Sequence, residues 1–567
     1  MIFSSRYQID IPEVDVLSYV FGTVHLAVTC VLLSCLLIQT TETSASQGDL
    51  PIFADAEKPT RSLRKPELEA CVKKLAGGLR QTLGLQNDDV VLAYTENSVS
   101  SPTVMDMDGN QPLIPCLITP GGIFTGANPG YTESELTHQL TVSGAKCIFT
   151  DAVRLTTALQ AARSVGIPKE SVVLVDNEGR PRHDSWRTMQ TLMAEPYSWE
   201  AIRDPSILAE NGTTGKPKAC MITHCNLVAN AEQTLHLDRV SESRANGQGS
   251  LTHDVHCAFL PLYHASGLMT YCVVNVRRSC TTFTMRKFSL ELLLSTIQRF
   301  RVTHLLLAPP VVVMLLKSNL LLHFDVSSVR SMFCGAAPLQ PELSKRLEEV
   351  FSGGKARSRQ GWGMSEATMA VTLFAPDEFD PLHKGVGYIL PNMQMKIVGD
   401  DGREVGCNEE GEALIRGPNV FKGYYKNPSA SEEAWTKDGW LKTGDIVSIQ
   451  ESGLLTILDR KKELIKVKGF QVAPAELEGH LLEHEGVRDC AVIRVTREGQ
   501  EHPQAHIVPK DNNVTAESII KFMESRLSAH KRLTGGIVFT EVIPKSASGK
   551  ILRRLLQDPA TEKLARL

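Results

Sequence analysis

The sequence predicts an α/β protein, with a large N-terminal unit of layered sheets and helices followed by a small α+β unit. Three observations lead there. Strand-like apolar runs alternate with helical ones along most of the chain, as when helices cover a sheet. The run Asp459–Arg460–Lys461–Lys462–Glu463 interrupts the apolar stretch Leu454–Leu458, and five consecutive charges do not make core, so it reads as a hinge or linker. Beyond it lie about 100 residues, enough for one small domain. There Cys490–Val495 reads as a strand and Ala516–Leu527 as a helix.

Within the large unit, Leu305–Leu316 reads as a buried strand, the pair Pro309-Pro310, and then a helix. Glu342–Phe351 reads as an amphipathic helix with Leu343, Leu347 and Val350 on one side. Of the 567 residues 42% are hydrophobic and 22% charged, a soluble globular composition. A net charge of −4 argues against a nucleic-acid polyanion as partner. The 13 cysteines show no paired Cys-x-x-Cys or Cys/His spacing for zinc, which fits a reducing intracellular compartment.

Leu17–Ile38 is mostly apolar and approaches the length that crosses a bilayer. Thr23, His25, Thr29 and Ser34 dilute it. Asp10, Glu13 and Asp15 precede it against only Arg6, the wrong charge for a secretory signal. A buried or poorly folded insertion is favoured over a membrane anchor. The last residues, Ala565-Arg566-Leu567, form a small–basic–leucine end like the Ser-Lys-Leu peroxisomal address; the alternative is a frayed helix end.

Four segments carry chemistry. Asn211-Gly-Thr-Thr-Gly-Lys-Pro-Lys218 has glycines for close approach to an anion, hydroxyls at Thr213 and Thr214, and the charge of Lys218. It lacks the spacing of a Walker loop, and an ordinary turn uses the same residues. Gln360-Gly-Trp-Gly-Met-Ser-Glu366 offers a flat face at Trp362 and a hard oxygen donor at Glu366, or else is a strand-to-helix loop with a core tryptophan. Thr443-Gly-Asp445, after Asp438-Gly-Trp440, places a carboxylate in a tight turn that can accept both hydroxyls of a ribose, or is a plain Asp/Gly turn. Lys545-Ser-Ala-Ser-Gly-Lys550 puts a lysine on a loop from which it can be delivered to a reaction; the alternative is a solvated basic face.

In order and spacing these segments resemble the acyl-CoA synthetase, luciferase and adenylation-domain superfamily of adenylate-forming enzymes, most nearly its 4-coumarate–CoA ligase-like members. Further matches are Leu260-Pro-Leu-Tyr-His-Ala-Ser-Gly267, Cys334-Gly-Ala-Ala-Pro-Leu339, Gly385-Val-Gly387 with Pro391-Asn392, and the segment from Asp459 to Glu478. The likeness runs from about Pro51 to Leu556. It implies an adenylation domain over 51–459 that binds ATP and an acid, and a mobile C-terminal domain over 460–558. Residues 1–50 would precede it with an apolar insertion, and 559–567 would be the tail.

The implied activity is ATP-dependent ligation of a carboxylic acid to coenzyme A through an acyl-AMP, with Mg²⁺. The resemblance assigns the phosphates to Asn211, Gly212, Thr213, Thr214, Gly215 and Lys218. It assigns adenine to Trp362 and the Gly335–Ala337 turn, including Ala336. Ser365 would contact phosphate and Glu366 would help hold Mg²⁺. Asp445 would bind ribose with Arg460 beside it. Lys550 would bridge the acid and the α-phosphate. Lys462 would be the hinge, whose rotation presents Lys466, Lys468, Gly469 and Gln471 for thioester formation. His264 would border and gate the acyl pocket, with Tyr263, Gly335, Gly361 and Met364 as neighbours. Lys550 is expected on an exposed loop. Small residues at Ala265 and Ser266 suit a flat or extended acid, whether aryl, phenylpropanoid-like or medium-chain.

The chain departs from the pattern at three places. Glu210 and Asn211 stand where hydroxyl residues are usual, and Ala219 where glycine is. Met105–Pro120 carries Asp106, Asp108, Gly109 and three prolines where an apolar helix is usual. An apolar insertion runs from Gly22 to about Gly48. Two rival readings follow: an enzyme that loads a carrier-protein thiol in trans, and a catalytically impaired nucleotide-binding homologue. Since peroxisomes host acyl-CoA metabolism, the C-terminal tripeptide predicts a peroxisomal enzyme met by the import receptor, with a cytoplasmic one as the alternative.

Overall fold

The computed structural model describes residues 1–21, 50–97, 122–175, 186–193, 206–211, 218–245, 253–351, 353, 355–467, 470–497, 500–511, 513–546 and 550–556, with the side chains of 206–211, 470, 471 and 554 left aside. Among the described residues the first unit holds two large, mostly parallel sheets, a five-stranded antiparallel sheet and the short antiparallel pair Thr372–Leu373/Tyr388–Ile389.

One parallel sheet has the order Val172–Leu174, Cys147–Thr150, Val90–Tyr94, Ile123–Gly126, Ser206–Asn211 and Lys218–Thr223. Its last pair is antiparallel and flanks the predicted phosphate loop. The other runs Arg357–Gln360, Ser331–Cys334, His304–Leu307, Val255–Ala258, Thr281–Thr284, Phe53–Asp55 and Ser62–Leu63. These strands are short and rich in Val, Ile, Leu and Phe because helices cover both faces. The antiparallel sheet is Ile2–Ser4, Gln394–Val398, Glu410–Arg416, Leu441–Ile449 and Leu455–Arg460. One core joins all three layers, with Phe53, Phe124, Phe149 and Met393 essentially inaccessible.

The predicted strand–proline–helix unit is found as the strand His304–Leu307 and the helix Pro309–Lys317. Pro309 opens the helix, where its missing N–H costs nothing. The helix read over Glu342–Phe351 is Pro341–Val350, but its buried side is Ser344, Leu347 and Glu348, and Val350 is exposed. Glu348 turns inward because it accepts from the backbone of Ser358 at 2.8 Å and pairs with Arg357.

At its start the apolar run Leu17–Ile38 is buried, as the favoured reading has it. Val16–Phe21 is a short helix in the core, with Val16, Leu17, Tyr19 and Val20 buried. Asp15 caps it, accepting from the backbone of Leu17 and Ser18 at 3.0 and 2.9 Å. The Tyr19 hydroxyl donates to Glu232 at 2.6 Å. Residues 22–38 lie outside the described residues, as do Met105–Pro120 and 557–567. Among the described residues no helix is long and apolar enough to cross a membrane.

The charged run is corrected. Asp459 is buried near the end of the strand Leu455–Arg460, where it accepts from Arg460 N and Ala475 N. Lys461 and Lys462 are exposed. The second unit begins with the hairpin Ile465–Val467/Phe470–Val472. It continues in the long pair Val487–Arg497/Gln500–Pro509, with Gly536–Phe539 parallel to the latter, and the helices Pro474–Glu483 and Ala516–Glu524. Lys317 Nζ donates to Val487 O at 2.7 Å and Gln340 to Ala475 O at 3.2 Å, so the second unit rests on the first.

Candidate active site

Ligands of open parallel sheets bind beyond the carboxyl ends of the strands. Two such ends are Ser331–Cys334, which runs into Gly335 and Ala336, and Arg357–Gln360, which runs into Gly361 and Trp362. Ala336 holds φ at 71°, a left-handed backbone that costs an alanine energy. Gly361 lets the chain pass close to apolar side chains: a Cβ there would lie 2.4 Å from the Phe333 ring and 2.7 Å from Leu373.

Trp362 is buried, and Thr372 brackets its backbone, with bonds of 3.2 and 3.1 Å in the two directions. Its indole Nε1 donates to Asp445 Oδ2 at 2.8 Å. Asp445 lies within the strand Leu441–Ile449, not in the tight turn expected from the sequence, directly after Gly444 with φ at 72°. Arg460, its partner across the strand pair, places Nε 3.3 Å from Asp445 Oδ1. Burial raises the Asp445 pKa, while Arg460, Trp362 and Lys550 pull it down.

Ser365–Ala367 forms a single tight turn that buries Glu366. Tyr424 Oη donates to Glu366 Oε1 at 2.7 Å, and Phe421 N donates to Glu366 O at 2.8 Å. Just after the turn Thr368 takes φ of 68°, strained for a β-branched residue, with its hydroxyl bonded to Asn419 O at 2.7 Å. Asn419 returns two bonds, to Ala367 O and Ala370 O. The segment carrying Tyr424 also pairs with the strand after the phosphate loop: Met221 N donates to Gly423 O and Tyr425 N to Ala219 O. The Lys218 ammonium sits 4.8 Å from the centre of the Tyr424 ring. Tyr424 therefore touches both the phosphate-loop lysine and the acidic residue predicted for the metal. The sequence reading missed it; the available signal was an aromatic residue directly after Gly423, whose φ of 139° marks a tight approach.

His264 precedes the short helix Ala265–Gly267, and its Nδ1 lies 3.0 Å from Ser266 Oγ. Burial and then the nearby Lys550 charge push its pKa down to about 4, so it is neutral near pH 7. Leu268–Val274 follows as a π-helical stretch, a rare form often found at functional sites. Tyr263 packs on Gly126, where a Cβ would come within 2.3 Å of its own. Met364 is half-buried and packs on the central core.

Lys550 is not on an exposed loop. Ser546 N donates to its carbonyl at 2.8 Å and its own N–H donates to Ser546 Oγ at 3.1 Å, closing a tight hairpin at the first unit's site. Burial and Arg460 push its pKa down to about 8, against the pull of Glu463, Asp445 and Glu366. The lysine therefore stands in the field of the predicted ribose and metal carboxylates and of His264. Arg553, three residues beyond Lys550, is half-buried. It pairs with Glu463 at 2.7 Å and Glu478 at 2.7 Å and donates to Val492 O at 3.1 Å. This pins the base of the Lys550 hairpin to the residue after Lys462.

Lys466 lies exposed on the hairpin strand Ile465–Val467, its N–H donating to Glu501 at 2.6 Å. Gln471 sits opposite it in register. Gly212, Thr213, Thr214, Gly215, Lys468 and Gly469 lie outside the described residues, and Asn211 and Glu210 are described only in backbone. The described residues thus bring together Trp362, Asp445, Arg460, Glu366, Lys218, His264 and Lys550. They leave Lys466 and Gln471 on a separate hairpin.

Comparison with known proteins identifies the family. Residues 41–425 match the model of the AMP-binding enzyme family, and 476–550 that of the AMP-binding enzyme C-terminal domain. A phenylacetyl-CoA ligase of Aspergillus niger is 31% identical, covering 100% of both chains. A 4-coumarate-CoA ligase of Narcissus pseudonarcissus is 32% identical over 90% of this chain and 91% of its own. Among solved structures, ATP-bound MatB from Rhodopseudomonas palustris aligns with a TM-score of 0.76 at 24% identity, over 96% of this chain and 98% of its own. An anthranilate CoA ligase bound to anthranoyl-AMP aligns with a TM-score of 0.76 at 20% identity, over 98% and 99%.

Proposed function

The chain belongs to the AMP-binding enzyme family and is an ATP-dependent, AMP-forming acid–CoA ligase; from that premise we propose that it activates a flat or extended acid, aryl, phenylpropanoid-like or medium-chain. The observation that carries this reading is the apolar wall at Gly361, where the Phe333 ring and the Leu373 side chain stand 2.4 and 2.7 Å from where a Cβ would lie. The small side chains of Ala265 and Ser266, next to Tyr263 and His264, suit the same kind of acid. The names of the relatives, phenylacetyl-CoA ligase and 4-coumarate-CoA ligase, support the same class.

In the proposed first step an oxygen of the acid attacks the α-phosphorus of ATP and pyrophosphate leaves. Lys550 lies between both anions and stabilises the charge that develops. Asp445 and Arg460 hold the ribose, Trp362 and the Gly335–Ala336 turn flank adenine, and Lys218, Ser365 and the Gly212–Gly215 loop hold phosphate. Neutral His264 adds no charge to the acyl pocket. In the second step the thiol sulfur of coenzyme A attacks the acyl carbon and AMP leaves. A turn about Lys462 withdraws Lys550 and brings in the hairpin of Lys466, Lys468, Gly469 and Gln471.

Glu366 supplies a hard oxygen donor oriented by Tyr424, chemistry that suits Mg²⁺. The ion, when bound, would offset phosphate charge. The end Ala565-Arg566-Leu567 supports import into peroxisomes, which a fluorescent fusion with a free C-terminus checks. The acid class is tested by a purified-enzyme panel of arylalkanoic, cinnamic, medium-chain and very short acids. Turnover of the first three groups is expected; reaction with acetate-sized acids alone would reject this class.

A further inference from the structure

We propose that Trp362 is the positioning residue for the Asp445 carboxylate, and that its indole N–H sets how strictly the enzyme demands an intact ribose. The inference rests on the reading that Asp445 holds the ribose.

Trp362 and Asp445 belong to different layers of the first unit, one beyond the end of Arg357–Gln360 and the other on Leu441–Ile449. Both backbones are fixed before the side chains meet. Trp362 is bonded to Thr372 in both directions. Asp445 N donates to Thr443 Oγ1 at 3.1 Å, and that hydroxyl donates to Ala413 O at 2.7 Å. The indole Nε1 then meets Asp445 Oδ2 at 2.8 Å, and Arg460 Nε lies 3.3 Å from Oδ1.

A carboxylate has about four acceptor sites. Trp362 takes one on Oδ2 and Arg460 flanks Oδ1 as an ion pair at 3.3 Å, which leaves sites on both oxygens for a vicinal pair of hydroxyls. The N–H also stops rotation of the carboxylate, so neither hydroxyl has to orient it on binding. Asp445 is only 4% exposed, so losing one of its few donors weighs heavily on the carboxylate. An aromatic face alone, as in Phe, would keep any contact with adenine and lose this control. Trp362 thus couples base and sugar recognition through a single side chain.

The test compares kcat/KM in acid-dependent ATP–pyrophosphate exchange for ATP, 2′-deoxy-ATP and 3′-deoxy-ATP in wild type, Trp362→Phe, Trp362→His and Asp445→Asn. Trp362→Phe is expected to lose about tenfold with ATP, roughly one charge-assisted hydrogen bond, and less than about twofold with the deoxy analogues. Its preference for the intact ribose therefore collapses. Trp362→His keeps a ring N–H and recovers part of that preference. Equal losses on all three nucleotides in Trp362→Phe would overturn the proposal, since packing or stacking alone produces that result. So would a Trp362→His that recovers nothing. Should Trp362→Phe fail to fold, Trp362→Leu replaces it, because the ratio cancels losses common to all nucleotides. Asp445→Asn separates the two claims. An unchanged preference there means Asp445 is not the ribose carboxylate. A lost preference there with an intact one in Trp362→Phe defeats the Trp362 proposal alone.

Discussion

Replacing Tyr424 with phenylalanine removes one hydroxyl and keeps the ring that faces Lys218. The loss is the 2.7 Å bond to Glu366, a buried carboxylate inside a tight turn. A hydrogen bond to a charged group contributes about 1.5–3 kcal/mol. At about 1.4 kcal/mol per factor of ten, full expression in the transition state corresponds to roughly a 10- to 100-fold slower first step. The acid pocket is untouched, so KM for the acid should hold within about twofold, while the Mg²⁺ concentration needed for half-maximal exchange rises. The assay is ATP–pyrophosphate exchange without coenzyme A, titrated with Mg²⁺, beside thermal denaturation of the same samples. Unchanged exchange and Mg²⁺ dependence with a lowered melting temperature would refute the reasoning and make Tyr424 a packing residue.

Other outcomes follow from the same geometry. Lys550, with its pKa lowered to about 8, loses its charge as pH rises through that value, so kcat/KM for adenylation should fall above about pH 8; in Lys550→Arg that alkaline limb should vanish, whatever the remaining rate. Lys462→Pro should leave pyrophosphate exchange detectable and block thioester formation; equal loss of both halves would remove the hinge assignment. Arg553→Met strips the partner from Glu463 and Glu478 and should destabilise the chain by about 3–5 kcal/mol in urea unfolding. Glu478 already has its pKa raised to about 7 by burial, so the folded state holds its proton longer than the unfolded one, and stability from this group declines as pH climbs from the ordinary carboxylate range to 7. The Arg553→Met penalty should accordingly be larger at pH 8 than at pH 6.

What the sequence made legible was local. Pro309-Pro310 marks the start of its helix because proline tolerates a helix's first turn. Gly361, Trp362, Glu366 and Lys550 stand in ordered segments at a strand end, turn or hairpin where their neighbours fix the backbone, whereas Asp445, expected in a turn, lies within a strand. What was hidden depends on partners far along the chain. Tyr424 acquires meaning only beside Glu366 and Lys218, and Arg553 only beside Glu463 and Glu478. Asp459 belongs to a charged run, yet the backbone N–H groups of Arg460 and Ala475 satisfy its carboxylate and let it be buried; charge count alone does not reveal that. Leu17 opens a run long enough to suggest a membrane, but Asp15 caps a short helix that puts it in the core. Lys550 looks solvated in sequence and is half-buried once its hairpin docks on the first unit.

We propose that Lys550 serves the first half-reaction and steps aside for the second. It is tested by giving Lys550→Ala two tasks: pyrophosphate exchange from ATP and acid, and thioester formation from a synthetic acyl-adenylate and coenzyme A, with the acyl-CoA measured by mass. The account predicts that exchange falls about 100- to 1,000-fold, the usual cost of one well-placed charged donor, while thioester formation stays within a few-fold of wild type. Equal loss in both tasks, or exchange that survives intact, would contradict it.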